Sequence, residues 1–281
     1  MKKAKILLTI FLLGYCSSVL YQPKKEELMN PEKLGFKKSE EFFTTSDKTK
    51  LNLWFIKPDE QEANKNAVIL QFHGNGENMS SHFISLVWLV NHGYELVTYD
   101  YRGYGKSEGS PNPKEINSDS VEVINYVISY CKKNNKKLII YAQSLGGAIA
   151  ARALSEVKDK SLISIVIFEG TFSDYKEVAN SILRKQIIQP FPYLLSLFVS
   201  NSYSPKDYFE KISPIPIVVI HETEDPVVPF ENGKEVFRLS KDPKQFWSVT
   251  GQGHIRWMLM GRSPNAKKFR ELLDQLISEG Y

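Results

Sequence analysis

A repeated alternation of short apolar runs with amphipathic segments most constrains what this 281-residue chain can fold into, and it begins near residue 40. Several of the runs are apolar throughout, as expected of strands that are buried on both faces of a sheet. The segments between them carry apolar residues at helical spacing. This alternation predicts an α/β fold with a mostly parallel, doubly wound sheet, whose ligands bind beyond the carboxyl ends of the strands.

The individual elements can be assigned from the same pattern. The first two strands alternate apolar and polar side chains and are expected to form a half-exposed antiparallel pair. Strands are predicted at residues 41–45, 51–56, 67–72, 94–99, 137–141, 163–168, 215–220 and 245–249. Helices are predicted at residues 79–91, 115–132, 145–157, 231–239 and 264–278.

One connection is too long for this pattern. The alternation stops between about residues 171 and 212, whereas ordinary connections are only a few residues long. The stretch contains an apolar run at residues 187–199, so we expect a small helical cap inserted above the sheet. An apolar cap favours a substrate that is partly acyl or otherwise apolar. The alternative is that this run merely packs on the domain.

The first residues have the composition of a targeting segment. Lys2, Lys3 and Lys5 precede an apolar stretch at residues 6–13, which is too short for a confident transmembrane helix. Residues 13–16, Leu-Gly-Tyr-Cys, resemble a bacterial lipobox, which predicts lipidation of Cys16. Because Tyr15 stands where a small residue is usual, an uncleaved signal anchor and plain secretion remain alternatives.

These features predict how the chain is organised and where it resides. Residues 1–21 are predicted to be a signal peptide or a lipoprotein signal and anchor, and residues 22–39, rich in Lys and Glu, a tether. Residues 40–281 form the predicted α/β domain. All three alternatives for the N-terminus place that domain outside the cytoplasm, and the first two attach it to a membrane.

Charge and cysteine content restrict the classes of partner. The formal net charge of +4 includes the three N-terminal lysines, and no Lys/Arg-rich block follows, so no nucleic-acid partner is expected. Cys131 lies on an apolar helical stripe and is expected to be a buried thiol without a disulfide partner. Histidines and carboxylates do not cluster at metal-ligand spacing, so neither a metal nor an organic cofactor is expected. The oligomeric state is not indicated.

Residues 141–147, Tyr-Ala-Gln-Ser-Leu-Gly-Gly, lie between a predicted buried strand and a predicted helix. This is the context of a nucleophile elbow, a sharp turn that would expose Ser144 at the top of the sheet. Gly146 and Gly147 provide the small side chains that such a turn requires. Ala142 stands where the motif usually has glycine, and its single methyl group is expected to be tolerated. A serine that only caps the helix is the alternative.

Two further strand ends provide partners for this serine. Asp225 follows the strand at residues 215–220, and His254 follows the last strand, which gives the order Ser, Asp, His that this fold uses. A histidine can take the serine proton, and a carboxylate fixes the tautomer of the imidazole. Glu222 and Glu224 are rival candidates for the acid, and Asp225 could instead form a turn before Pro226.

The glycine-rich segment at residues 72–76, Phe-His-Gly-Asn-Gly, follows the third strand. In this architecture the segment contributes one backbone N–H to an oxyanion hole, and the residue after the nucleophile contributes another. Asn75 and Leu145 are the predicted donors. The remaining histidines are assigned other roles: structural for His73 and His221, and on the surface for His82 and His92.

Together these motifs resemble the α/β-hydrolase superfamily, in particular its Bem46-like branch, over residues 40–279. The carrying motifs are His-Gly-Asn-Gly at residues 73–76, Tyr-Asp-Tyr-Arg-Gly-Tyr-Gly-Lys-Ser at 99–107, Gln-Ser-Leu-Gly-Gly at 143–147, Glu-Gly-Thr-Phe-Ser at 169–173, Asp-Pro-Val-Val-Pro at 225–229 and Gly-His at 253–254. The resemblance implies an α/β-hydrolase fold with a Ser-His-Asp triad. It also implies that the loop at residues 100–107 packs beside the oxyanion segment, where we expect a structural role.

The predicted function is hydrolysis of a carboxylic ester, small or lipid-like, through an acyl-enzyme on Ser144. A peptidase, amidase or thioesterase with the same triad is an alternative, because the sequence does not indicate the leaving group. A hydrolase-like binding protein without activity is a second alternative, which the intact triad disfavours. A haloalkane dehalogenase is disfavoured because the elbow carries serine and not aspartate.

Overall fold

The computed structural model describes residues 21–59, 65–186, 199–251 and 253–279. Outside the described residues lie the predicted signal segment with Cys16, except Tyr21, and the apolar run of the cap, except Val199. Within the described ranges, no helix has both the length and the apolar character that a membrane crossing requires.

The core of the molecule is a single eight-stranded sheet with the order β1-β2-β4-β3-β5-β6-β7-β8. β1 pairs with β2, and β2 with β4, in antiparallel fashion, and all other pairs are parallel. The predicted mostly parallel sheet is therefore confirmed. The strands are β1 (Lys37–Thr44), β2 (Lys50–Lys57), β3 (Ala67–Phe72), β4 (Glu95–Tyr99), β5 (Lys137–Gln143), β6 (Ile163–Glu169), β7 (Ile217–Glu222) and β8 (Lys244–Val249).

Helices cover both faces of the sheet, as predicted. They are α1 (Met79–His82), α2 (Pro113–Lys133), α3 (Leu145–Glu156), α4 (Tyr175–Gln186), α5 (Phe230–Leu239) and α6 (Ala266–Glu279). The start of α2 shows why they begin where they do: Pro113 occupies the first turn, and Asn112 Oδ1 accepts a hydrogen bond from the backbone N–H of Glu115. α4 and a 3₁₀ turn at Phe209–Ile212 are the described helical parts of the predicted cap stretch.

Two apolar cores lie on the opposite faces of the sheet. In β3, Val68 and Leu70 contribute to one core and Ala67 and Ile69 to the other, because successive side chains of a strand point to opposite faces. The first core includes side chains of α2 and α3, and the second includes side chains of α6. A strand buried on both sides needs apolar residues throughout, which explains the continuous apolar runs in the sequence.

The helix predicted at residues 79–91 is interrupted in the structure. Only Met79–His82 is α-helical, and 3₁₀ turns follow at Phe83–Ser85 and Val87–His92. The carbonyl oxygen of His82 accepts hydrogen bonds from Gln71 Nε2 at 2.9 Å and from Ser85 Oγ at 2.9 Å. Leu86 N–H binds Phe83 O instead, so the α-helical ladder stops at this point.

The segment predicted as a tether, residues 22–39, lies against the domain in the structure. It contains a 3₁₀ turn at Pro31–Leu34, which Asn30 caps, and it continues into β1 from Lys37 onward. Several of its backbone groups bind the loop that follows β3. The division of the chain into targeting segment, tether and domain stays a prediction.

Candidate active site

Ser144 occupies the sharp turn between β5 and α3. Its backbone has φ 51° and ψ −118°, a conformation that costs free energy in any residue with a side chain. Two hydrogen bonds stabilise the turn: Ser144 N–H donates to Glu169 O at 2.8 Å, and Thr171 Oγ1 donates to Ser144 O at 2.7 Å. The turn therefore places the serine hydroxyl beyond the carboxyl end of β5.

The two glycines of the elbow allow α3 to approach the sheet closely. A Cβ atom on Gly146 would lie 2.3 Å from Phe72 O, and one on Gly147 would lie 2.3 Å from Thr171 Oγ1. Neither position has room for a side chain, as predicted. Ala142, where glycine is usual, is fully buried in β5 and pairs with Phe72 and Phe168 of the neighbouring strands.

The structure brings Ser144, His254 and Asp225 together, although 110 residues separate the serine from the histidine. His254 Nε2 lies 2.9 Å from Ser144 Oγ, and His254 Nδ1 lies 2.6 Å from Asp225 Oδ2. The three side chains follow β5, β7 and β8, three strands whose carboxyl ends meet at one edge of the sheet.

Asp225 is held as a carboxylate by its surroundings. Burial by itself would raise its pKa, but hydrogen bonding to His254 and the backbone N–H groups of Val227 and Val228 outweigh burial and lower the pKa below its usual range. Those two N–H groups donate to Oδ1 at 2.7 and 2.8 Å, which leaves Oδ2 for the imidazole.

The two rival carboxylates lie in different surroundings. Glu222 Oε1 accepts a hydrogen bond from the backbone N–H of Gly251 at 3.0 Å, across the end of β8. Glu224 is exposed. Of the three candidates, Asp225 is the one whose oxygen meets Nδ1 of His254.

The segment that follows β3 runs directly beside Ser144. A Cβ on Gly74 would lie 3.6 Å from Ser144 Cβ, so the backbone of Gly74 and Asn75 passes close to the nucleophile. Leu145 is the first residue of α3, and the first N–H groups of a helix have no partner within it. The predicted donor Asn75 therefore follows a residue that lies close to Ser144, and the predicted donor Leu145 follows Ser144 itself. Their role as oxyanion donors stays a prediction.

A cavity of about 770 Å³ opens beside the imidazole of His254. Apolar side chains form much of its wall: Met29, Ile84, Val227, Ile255 and Leu259. Val227 and Leu259 are 39% and 38% exposed, although both are large apolar residues. The polar residues Glu77, His82 and Arg256 also line the cavity. Such a lining suits a substrate that has an apolar part and a polar part.

Three of the four other histidines, His73, His82 and His221, lie in different environments. His73 is fully buried, and burial lowers its pKa to about 3, as a structural role predicts. His221 is buried and donates from Nε2 to Val228 O at 3.0 Å. His82, predicted to be a surface group, is half-buried, stacks on His73 and lines the cavity. Its Nε2 donates to Gly76 O at 3.2 Å, a contact with the loop after β3 that helical periodicity does not indicate.

Ile255 contributes to the site, although no sequence motif pointed to it. It has φ 47°, a left-handed conformation that is unfavourable for a β-branched residue. Its side chain packs against both Gly74 and Gly170, where added Cβ atoms would lie 3.0 Å from it. The side chain of Ile255 therefore packs between the glycine-rich segment at residues 72–76 and the end of β6, and it holds the loop that carries His254 in place.

A buried carboxyl group lies beneath the elbow. Glu169 Oε2 accepts hydrogen bonds from Gln143 Nε2 at 2.7 Å and from Tyr141 OH at 2.9 Å. Burial raises the pKa of Glu169 to about 7, and these hydrogen bonds limit the rise. The motif at residues 169–173 pointed to this strand end, but it gave no sign that the acid lies under the nucleophile. Among the described residues, no cluster of His, Cys, Asp or Glu is arranged to hold a metal ion.

Comparison with protein families gives a match to the family described as Serine aminopeptidase, S33, over residues 63–203. This range includes Ser144 and the glycine-rich segment after β3. It ends before Asp225 and His254.

Several proteins are similar over longer ranges. YfhR of Escherichia coli (strain K12) is 32% identical over 260 residues, which cover 89% of this chain and 87% of that protein. Protein bem46 of Schizosaccharomyces pombe is 27% identical over 228 residues, or 78% of this chain and 73% of that protein. Lysophosphatidylserine lipase ABHD12 of Mus musculus is 26% identical over 203 residues, or 69% of this chain and 50% of that protein.

Solved structures show the same fold. The Pyrococcus furiosus esterase Pf2001 superposes with a TM-score of 0.69 at 19% sequence identity, and the alignment covers 92% of this chain and 99% of that one. At this level of identity the likeness concerns the fold. It agrees with the eight-stranded, mostly parallel sheet flanked by helices.

Proposed function

This chain belongs to the serine aminopeptidase, S33 family of α/β-hydrolases, and from that premise we propose that it cleaves a carboxylic ester through an acyl-enzyme on Ser144. The observation that supports the proposal most directly is the continuous series of hydrogen bonds from Ser144 Oγ through His254 to Asp225. A serine hydroxyl becomes a useful nucleophile only when a base can take its proton, and this series provides one.

In the first half of the reaction, His254 Nε2 takes the proton of Ser144 Oγ as that oxygen attacks the ester carbonyl carbon. The carbonyl oxygen becomes an oxyanion, which the N–H groups of Asn75 and Leu145 stabilise. The carbon–oxygen bond to the alcohol then breaks, and His254 donates its proton to the departing alcohol. Asp225 accepts the Nδ1–H hydrogen bond throughout and stabilises the imidazolium.

The second half repeats these steps with water. His254 takes a proton from a water molecule, whose oxygen attacks the carbonyl carbon of the acyl group on Ser144. The bond between that carbon and Ser144 Oγ breaks, the proton returns to the serine, and the carboxylic acid leaves. No group other than water is consumed, so the cycle needs no cofactor.

We favour an ester that carries an acyl chain. The apolar wall of the cavity beside His254 supports this substrate class, because it can remove an acyl chain from water. One of the similar proteins is named as a lysophosphatidylserine lipase, which is consistent with a lipid-like ester for this chain as well. A thioester would follow the same steps with a thiol as leaving group.

The proposal is tested by activity and active-site labelling. We expect the purified protein to hydrolyse chromogenic acyl esters and to be labelled by a fluorophosphonate, and Ser144→Ala to abolish both. Ser129→Ala, at an exposed serine of α2, is the matched control and should behave as wild type. Labelling or turnover that persists in Ser144→Ala would exclude this nucleophile.

A second candidate function is hydrolysis of an amide or peptide bond. The description of the matched family as a serine aminopeptidase favours it, and the same triad can perform it. A panel of chromogenic esters and thioesters, compared with aminoacyl amides at equal concentration, distinguishes these activities by kcat/KM. Absence of turnover on every panel would favour a binding protein instead.

We propose further that residues 1–21 direct the domain to the outside of the cytoplasm and attach it to a membrane, with a lipid on Cys16 and residues 22–39 as the connection. The basic and apolar composition of the first residues supports this proposal. Radioactive palmitate should label the wild-type chain but not Cys16→Ala. Equal labelling of both would exclude lipidation at Cys16 and favour the uncleaved signal anchor.

A further inference from the structure

The segment at residues 21–29, which we call the strap, binds the side chain of Asn75. Gln22 N–H donates to Asn75 Oδ1 at 2.9 Å and also lies 3.1 Å from Tyr104 OH. Tyr104 OH in turn donates to Asn75 Oδ1 at 2.8 Å. The amide oxygen of Asn75 is therefore held from two directions, once by the strap and once by the loop that follows β4.

The strap also binds the rest of the segment at residues 73–78, which we call the oxyanion loop. Asn78 Nδ2 donates to the carbonyl oxygens of Lys24 at 3.0 Å and Glu26 at 2.8 Å. In the other direction, Lys24 N–H donates to Glu77 O at 3.2 Å. These bonds involve the backbone of the strap, so they depend on its course along the domain surface.

On its other side the strap is fixed to the loop at residues 100–107. Gly105 N–H donates to Lys24 O at 2.9 Å, and Lys25 Nζ donates to Ser107 O at 2.8 Å. The strap thus bridges two loops that follow neighbouring strands, β3 and β4. A bridge of this kind can restrict the movement of the oxyanion loop relative to the sheet.

The oxyanion loop includes two residues in the left-handed region, and side chains outside it bind its carbonyl groups: Tyr101 OH donates to His73 O at 2.8 Å, and His82 Nε2 donates to Gly76 O at 3.2 Å. Gly76 has φ 74°, and Glu77 has φ 59°, a left-handed conformation that is uncommon in residues other than glycine. Yet an oxyanion donor must be in position before the reaction, because a misplacement of about 1 Å can cost about 10²-fold in rate. Contacts from outside the loop are therefore needed to fix the N–H of Asn75.

We propose that the strap is a positioning element of the active site, which holds Asn75 so that its backbone N–H is aimed at the developing oxyanion. This inference rests on the proposed function. Because the oxyanion exists only in the transition state and intermediate, loss of the strap contact lowers kcat and leaves KM nearly unchanged. The segment next to the predicted anchor is then also part of the catalytic apparatus.

The test compares two substitutions of Gln22, of which only one removes the backbone N–H. Gln22→Pro eliminates the backbone N–H that binds Asn75, whereas Gln22→Ala removes the exposed side chain and keeps that N–H. Both variants are made in the full-length chain. We expect kcat on a chromogenic ester to be at least about tenfold lower for Q22P than for Q22A, with KM values within about twofold.

A transition-state analogue provides a readout that a merely structural role would not change. A trifluoromethyl ketone adds to Ser144 Oγ and forms an oxyanion, so its Ki should rise in Q22P by about the factor by which kcat falls. Equal kcat and Ki in Q22P and Q22A, or a change confined to KM, would overturn the proposal.

A second variant covers the case in which Q22P does not fold. Tyr104→Phe removes the hydroxyl that accepts from Gln22 N–H of the strap and donates to Asn75 Oδ1, so kcat should fall and Ki should rise together. Tyr126→Phe, whose hydroxyl binds Glu41 at the surface, is its control. If the activity of the wild-type protein does not depend on Ser144, the proposed function is wrong. If it depends on Ser144 but these variants show no such effects, only the positioning role of the strap is wrong.

Discussion

At the scale of the single residue, the two carboxylate oxygens of Asp225 have different hydrogen-bonding roles. Oδ1 accepts the backbone N–H groups of Val227 and Val228, and Oδ2 faces Nδ1 of His254. The first pair fixes the carboxylate plane, and the second contact selects the imidazole tautomer that leaves Nε2 free to accept the serine proton. Substitution of one oxygen by NH₂ separates these tasks.

In Asp225→Asn, we expect the amide oxygen to keep the two backbone N–H bonds and the NH₂ group to face His254. That donor favours the wrong imidazole tautomer, so kcat should fall by about 10³- to 10⁴-fold while the fold is retained. Steady-state kinetics and a thermal melt check both parts. Glu224→Gln, at the adjacent exposed carboxylate, is the control. A similar loss in both variants would contradict the role of Asp225.

Single residues also show what the sequence could and could not predict about the site. Ser144, Asp225 and His254 could be found because each follows a strand, and the carboxyl ends of parallel strands meet at one edge of the sheet. The positions of His82 and Ile255 could not. Ile255 has a left-handed backbone conformation, and the side chain of His82 binds Gly76 O in the loop after β3. No periodic pattern encodes either feature.

At the scale of elements, Arg102 connects three parts of the chain. Its guanidinium donates to both carboxylate oxygens of Asp119 on α2, at 2.6 and 2.5 Å. It also reaches Glu115 on the same helix and Asp47 in the β1–β2 turn. Both Arg102 and Asp119 are buried, so the pair holds the loop after β4 against α2. This arrangement agrees with the structural role predicted for the loop at residues 100–107.

Arg102→Ala should lower the free energy of unfolding by about 3–5 kcal/mol, because it leaves the Asp119 carboxylate buried without its partner. Arg102→Lys should recover only part of this loss, since an ammonium group cannot bind both oxygens in the same way. Urea denaturation measures both. Arg238→Ala, which removes an exposed pair with Glu235 on α5, should leave the free energy of unfolding close to that of wild type. Equal effects of Arg102→Ala and Arg238→Ala would show that burial does not strengthen the Arg102 contacts.

Elements differ in how well the sequence predicts them. β2 to β8 and the long helices α2 and α3 form close to where periodicity places them, because burial on a defined face outweighs other local preferences. β1 is mostly exposed, and it runs from Lys37 to Thr44 instead of the predicted residues 41–45. The segment at residues 79–91 has an equally clear apolar stripe but does not form one helix. Gln71, a buried polar residue of β3, donates a hydrogen bond to His82 O, the carbonyl that the next turn of a continuous helix would need. Periodicity carries no information on such a competing donor.

At the scale of the whole molecule, buried carboxyl groups link stability to pH. Burial raises the pKa of Glu169 and of Asp100 to about 7, so the folded state retains protons that the unfolded chain releases near pH 4. The contribution of these two groups to stability therefore falls as pH rises toward 7. The lowered pKa of Asp225 has the opposite effect, because the stability that it contributes is lost as pH falls through that lowered value.

Glu169→Gln should remove one of these contributions. A neutral amide can accept the hydrogen bonds from Tyr141 and Gln143 but has no proton to lose, so the variant should gain about 1–3 kcal/mol relative to wild type between pH 5 and pH 7.5. Urea unfolding at both pH values measures this difference. Glu271→Gln, at an exposed position of α6, should keep the wild-type dependence on pH. If Glu169→Gln also shows the wild-type dependence of stability on pH, the carboxyl group of Glu169 ionises in the folded protein as readily as in the unfolded chain.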